Sequence, residues 1–148
     1  MIQKTKRAMA LCMALLACNL LFIWGNSLMP ASVSGAFSQW LRDLLGEASG
    51  GGAGQSDGLL RKIAHFAEFA SLGMLLSWLF AMLKERKQTV VLLAAACGCM
   101  AACADEMLQH FAPGRAPRLT DVGIDTAGVL AGIGAFCFGY YLFRKNKV

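Results

Sequence analysis

The sequence predicts an all-α membrane protein, a bundle of four transmembrane helices plus one short amphipathic interfacial helix, and three observations carry that prediction. Of the 148 residues, 57% are hydrophobic and 16% charged, against about 45–50% and about 25% in an ordinary soluble domain. Four apolar segments, about 8–29, 63–83, 89–110 and 121–143, each come near the roughly 20 residues a helix needs to cross a hydrocarbon layer about 30 Å thick. The basic residues fall in short clusters at the ends of those segments, the placement that membrane orientation produces. The formal charge of +5 therefore implies no nucleic-acid partner; the partner it implies is the lipid bilayer. One membrane domain over 1–148 is expected, because the loops are too short to fold a separate soluble catalytic domain. Nine Phe, three Trp and eight Met exclude a disordered chain, since their burial offsets the ordering entropy.

The first segment opens on Lys4, Lys6 and Arg7. Within it, Leu15-Leu16-Ala17-Cys18 resembles a lipoprotein lipobox, but Asn19 is followed by the apolar run 20–24 rather than a polar tether. Cys18 is accordingly read as a helix residue. The six cysteines (12, 18, 97, 99, 103, 137) lie in apolar stretches without a C-x-x-C pair, so they are expected to pack as small core residues rather than to form disulfides or a zinc site. After the first span, Phe37, Trp40, Leu41, Leu44 and Leu45 recur at helical spacing opposite Ser38, Gln39, Arg42 and Asp43. That pattern predicts an amphipathic helix at about 34–46 lying on the outer leaflet. Six glycines over 46–58, without the context of a phosphate cradle, predict a flexible linker.

Orientation follows from Lys and Arg. With the N-terminus inside, nine of the fourteen (4, 6, 7, 84, 86, 87, 144, 145, 147) sit at the cytoplasmic ends and five (42, 61, 62, 115, 118) outside. Both termini are expected to be cytoplasmic, and the five outer residues, interleaved with acids, read as site residues.

The polar residues inside the spans then gather at the outer ends. Lys62, His65 and Glu68 share one face of the second helix. A carboxylate at full depth costs about 2.5–3.5 kcal/mol on insertion scales, so Glu68 needs a partner or water. At the end of the third helix, Asp105 and Gln109 stack at i, i+4, as do Glu106 and His110; one pair is expected to face the interior and the other the rim. In the loop 112–120 two prolines stop the helix and set down Arg115 and Arg118. Thr120 or Asp121 is expected to cap the fourth helix, with Asp121 at its positive dipole end. Asp121, Asp125, Gly128 and Gly132 trace one face of that helix; the small residues, extended by Ala135 and Gly139, predict close helix approach and turn Asp125 inward.

The stretches RKIAHFAEF and DEMLQHFAPGRAPRLTDVGIDTAG resemble the two signatures of the VanZ-like membrane proteins, roughly K-x-x-H-F-x-E-[YF] and D-E-x-x-Q-x-F-x-P-G-R-x(5)-D-x-x-x-[ND]-x-x-G. The segment Asn26-Ser27-Leu28-Met29-Pro30 resembles the family's stretch after its first helix, which adds Asn26 and Ser27 to the candidates. The resemblance carries the family pattern onto Lys62, His65, Glu68, Asp105, Glu106, Gln109, Arg115, Asp121, Asp125 and Gly128. Asp125 stands where the family also uses Asn, and Phe69 where it often has Tyr, so no phenol is contributed there. The resemblance implies a small bacterial cell-envelope protein of a family named for resistance to teicoplanin, a glycopeptide antibiotic with a lipid tail. That name describes a phenotype and not a reaction.

Three functions are open on this sequence. One is recognition of an anionic, lipid-linked or lipoglycopeptide ligand, with Arg115 and Arg118 on phosphate or carboxylate, carboxylates such as Asp125 on amino or hydroxyl groups, and Asn26, Ser27, Lys62 and Gln109 completing the binding set. Another is an intramembrane hydrolase or transferase for a lipid-linked substrate. There His65 and Glu68 would be acid and base, and Asp105, Glu106 and Asp121 would do acid–base work or hold a divalent metal. No H-E-x-x-H motif is present, and there is no G-x-S-x-G elbow: the letters occur only at Gly54–Gly58, inside the stretch read as a flexible linker. The third is a polar network that only stabilises a small bundle.

Overall fold

A computed structural model describes residues 2–36, 56–83, 86–116 and 118–145. Four helices make up most of them: α1 (Ile2–Leu28), α2 (Ser56–Met82), α3 (Lys87–Gln109) and α4 (Leu119–Lys145). Each contains an apolar stretch of 22 to 24 residues, namely Thr5–Leu28, Arg61–Met82, Lys87–Gln109 and Leu119–Tyr140, which is about 33–36 Å of helix and enough to cross a bilayer core. The four expected spans are present, with ends shifted by at most three residues. Leu11, Leu15, Leu21 and Phe22 of α1, Leu92 and Met100 of α3, and Leu130 and Phe138 of α4 are exposed. Such a surface is a liability in water and the natural one against acyl chains.

That solvent reverses one expectation about the cysteines. Cys12 is buried, but Cys18, Cys103 and Cys137 are exposed on helices and Cys97 and Cys99 only half-buried. Hydrocarbon does not drive a small apolar side chain inward as water does.

What holds the bundle together is backbone proximity. The most extensive packing joins α2 to α4, while α1 leans on α2 and α3. A Cβ built on Gly128 would lie 2.5 Å from the Phe66 carbonyl oxygen, and one on Gly132 would lie 2.8 Å from the Ala70 carbonyl carbon. The contact is reciprocal. A Cβ on Gly73 of α2 would come within 2.9 Å of the Val129 carbonyl carbon, and one on Gly98 of α3 within 2.8 Å of Val129 Cγ2. Ile23, Phe69, Leu72, Ala102, Val129 and Ile133 fill the rest of the core. The small-residue face stops at Gly132, contrary to its expected extension: Ala135 is exposed and a Cβ on Gly139 would meet nothing. Beyond Gly132 the buried face passes to Ile133 and half-buried Phe136, because there the interface needs volume and not clearance.

Two boundary expectations also change. Residues 56–58, read as the end of the Gly-rich linker, already belong to α2; Ser and Asp are residue types that favour a helix start. The remainder of that linker lies outside the described residues. So does most of the interfacial helix expected over 34–46, of which 34–36 fall within a helical segment at 31–36 after Pro30. Thr120 and Asp121 are not caps, since α4 begins at Leu119 and both sit inside its first turn. The link at this end is instead made by α3, whose Glu106 Oε2 accepts the Arg118 backbone N–H at 2.8 Å.

The α3–α4 loop is held against the segment following α1. Ala31 donates its backbone N–H to the Pro113 carbonyl at 3.1 Å. Gly114 adopts φ 77, and a Cβ there would press on Ala31 Cβ at 3.3 Å, so this turn needs glycine both for its left-handed backbone and for space.

Within the spans, α1 and α2 are also joined by Asn19 Nδ2, which donates to Ser71 Oγ at 2.7 Å, while Ser71 donates to the Glu68 carbonyl at 2.7 Å. Interhelical hydrogen bonds in membranes average about 0.6 kcal/mol. Asn19→Ala is therefore expected to lower thermal stability in detergent only slightly, and a loss above about 2 kcal/mol would show that Asn19 does more than bridge two helices.

Candidate functional site

At the end of the bundle where α2 and α4 begin and α3 finishes, three helices each present an ionisable side chain to the same point. Asp105 of α3 is fully buried. Its Oδ1 accepts from Ser27 Oγ at 2.6 Å and its Oδ2 from Gln109 Nε2 at 2.9 Å, so one partner comes from α1 and the other from the next turn of its own helix. His65 of α2 places Nδ1 3.8 Å from Asp105 Oδ2 and 3.7 Å from Asp125 Oδ1 of α4. Asp125 is 1% exposed, and neither of its oxygens has a hydrogen-bond partner among the described residues. The clearance at Gly128, one turn along α4, brings Asp125 this close to α2.

A narrow cleft leads to this group. His65, Gln109, Asp121 and Asp125 line it with Ile124, half-buried Arg61 and exposed Lys62. Its cavity volume is about 10 Å³, the room of about one water or ion. A second, wholly different space lies deeper in the spans: an apolar groove of about 270 Å³ among Leu20, Trp24, Leu72, Leu76, Met100 and Ala104. It ends near the polar group, for Trp24 is one turn before Ser27 and Ala104 directly precedes Asp105. The buried Trp24 Nε1–H has no partner among the described residues.

Around the central three, the other acids have separate ties. Glu68 Oε1 accepts from Asn26 Nδ2 at 3.0 Å, and its buried Oε2 has no partner among the described residues. Glu106, 5% exposed, holds the Arg118 backbone N–H through Oε2. Arg115 is half-buried in the loop, and its Nε and Nη1 find no acceptor among the described residues. Burial and the nearby charge of Arg61 push its guanidinium below its ordinary value, opposed by the attraction of Asp105 and Glu106.

The candidate set thus divides. His65, Asp105, Asp125, Ser27 and Gln109 meet directly, and Lys62 and Asp121 share their cleft. Asp125, expected as a ligand contact, stands in the central group, whereas Glu106 and Glu68, expected as catalytic, stand in pairs of their own. Arg118 contributes its backbone; its side chain is exposed. The i, i+4 pairs of α3 separate only in part: Asp105, Gln109 and also Glu106 are buried, and His110 alone is at the rim, exposed with its ring edge-on to Phe111 at 5.7 Å. Trp24, one turn before Ser27, is not among the candidates. Arg61, read in the sequence only as one of the five outer basic residues, lies one turn before His65, a spacing that places it on the same face.

No curated protein and no solved structure matches the chain. The family model described as VanZ/LLP1 matches residues 6–143, a stretch that takes in all four spans and every residue of the polar group. The chain is a multi-pass helical membrane protein and belongs to the VanZ/LLP1 family.

Proposed function

We propose that the protein recognises an anionic group on a lipid-linked molecule of the bacterial cell envelope, at the extracytoplasmic face of the cytoplasmic membrane, and that this recognition underlies resistance to lipid-bearing glycopeptides of the teicoplanin type. The observation that carries the reading is Arg115, a half-buried residue whose buried Nε and Nη1 lack an acceptor among the described residues and whose fork suits a phosphate or carboxylate. Arg61 and Lys62 at the cleft add positive charge, and the apolar groove beside Trp24 supplies a place for a hydrocarbon chain at the depth where one would lie. The side assignment rests on the Lys and Arg distribution.

Arg115→Ala and Arg61→Ala, at wild-type expression, are expected to weaken binding of a lipid-linked anionic precursor or of teicoplanin to the purified protein. Removing one charge-assisted contact of about 1.5–3 kcal/mol corresponds to roughly ten- to hundredfold in affinity, with a parallel drop in resistance. Unchanged affinity and resistance in both variants would refute recognition.

An enzyme is the second reading, favoured by the position of His65 between two carboxylates beside an open cleft. Turnover of a lipid-linked precursor, followed by product analysis, would separate it from binding alone.

A further inference from the structure

We propose that His65, Asp105 and Asp125 form a divalent transition-metal site, with Zn²⁺ or Mn²⁺ bound by one imidazole nitrogen and two carboxylate oxygens. The three donor atoms come from three different helices and all lie within 4.8 Å of one another. Ligands around such an ion at bond lengths of about 2.0–2.2 Å sit about 3–4 Å apart, and the two His65 distances of 3.8 and 3.7 Å fall in that range. The independent observation is Asp125. A carboxylate that is 1% exposed, with neither oxygen hydrogen-bonded by any described residue, directs an oxygen at the imidazole. In a packed interior such a group is costly unless something else completes it. Two carboxylates and an imidazole lone pair offer up to two negative charges, which a dication cancels.

The surroundings fit as well. Ser27 and Gln109 each donate to Asp105, fixing the carboxylate as outer-shell partners do in metal sites. Mixed nitrogen and oxygen donors suit Zn²⁺ or Mn²⁺ better than Ca²⁺ or Mg²⁺. Three protein ligands leave a coordination position, and the cleft at His65 and Asp125, with room for about one water, lies where it would open. The ion occupies the floor of the site proposed above for an anionic group, and it rests on that reading only for its use; its binding is measured without any ligand.

The experiment is metal analysis of the full-length protein in detergent, stripped with chelator and titrated with Zn²⁺ or Mn²⁺ alone. One ion per chain is expected, with a rise in the thermal unfolding temperature. Asp125→Asn is expected to weaken binding at least tenfold and His65→Phe to abolish it, each in a variant that elutes like the wild type. His110→Ala, which removes the exposed imidazole, is expected to bind as the wild type does. Failure of the folded wild-type protein to bind either ion at stoichiometric level would overturn the site, as would binding that survives His65→Phe or is lost in His110→Ala. A metal result of either kind leaves the Arg61 and Arg115 assays free to succeed or fail on their own.

Discussion

Gly132→Val is expected to leave little folded protein. A side chain at that position would occupy the space of the Ala70 carbonyl group on α2, with the Met74 backbone nitrogen at 2.9 Å from its first carbon. Both obstacles are backbone, so neither can rotate away, and the helices must separate along the contact that contributes most to the bundle. Overpacking where side chains can adjust costs about 1–3 kcal/mol; here the cost should reach at least the top of that range, about 3 kcal/mol. Thermal unfolding in detergent and the yield of monodisperse protein measure it. Gly134, two residues on, is the matched control, because a Cβ there meets nothing within 4 Å. Gly134→Val should change stability by no more than about 0.5 kcal/mol. Equal behaviour of the two variants would show that α2 and α4 do not approach at Gly132.

Asp105→Ala carries the second large effect. It deletes the acceptor of two buried donors, Ser27 Oγ and Gln109 Nε2. Each stranded donor costs about 1–3 kcal/mol, so a loss of about 2–5 kcal/mol is expected in thermal unfolding. Asp105→Asn should lose much less. Its side-chain oxygen can still accept from Ser27, and Gln109 can turn its amide to accept from the new NH₂ group. A folded Asn variant that fails in binding or resistance assays would show that the carboxylate serves a site; an Ala variant that melts with the wild type would show that the buried network contributes nothing to the fold.

The parts of this molecule legible in its sequence are those that depend on one helix at a time. Span length and apolarity follow from a continuous run of residues, so all four spans are visible. The faces shared by Lys62 and His65, by Asp105 and Gln109, and by Asp125 and Gly128 follow from a fixed period of 3.6 residues. Legibility ends where two helices must be placed relative to each other. Nothing in the spacing of α4 tells that the glycine contact stops at Gly132, because that depends on which residues of α2 lie opposite. The division between central acids and paired acids is likewise a matter of rotation: Glu106 is 100° round from Asp105, and only the position of the α4 start decides that it meets the Arg118 backbone. The sequence places Asp125 in the ligand set because its own helix cannot reveal that His65 lies opposite. The cysteines other than Cys12 depart from expectation for another reason, since burial rules learned from water do not apply where the solvent is hydrocarbon.

Val129 couples three helices mechanically. Its backbone abuts Gly73 and its side chain abuts Gly98, so three helices share one pivot. Measured along the helix axes at 1.5 Å per residue, Asp125 is about 6 Å from that pivot, Asp105 about 10 Å and His65 about 12 Å. A tilt of about 5° there would move His65 by about 1 Å, using the same rise, and Asp125 by half as much. The polar group is thus the short end of a stiff hinge, and its spacing is gauged by two missing side chains in the middle of the bundle.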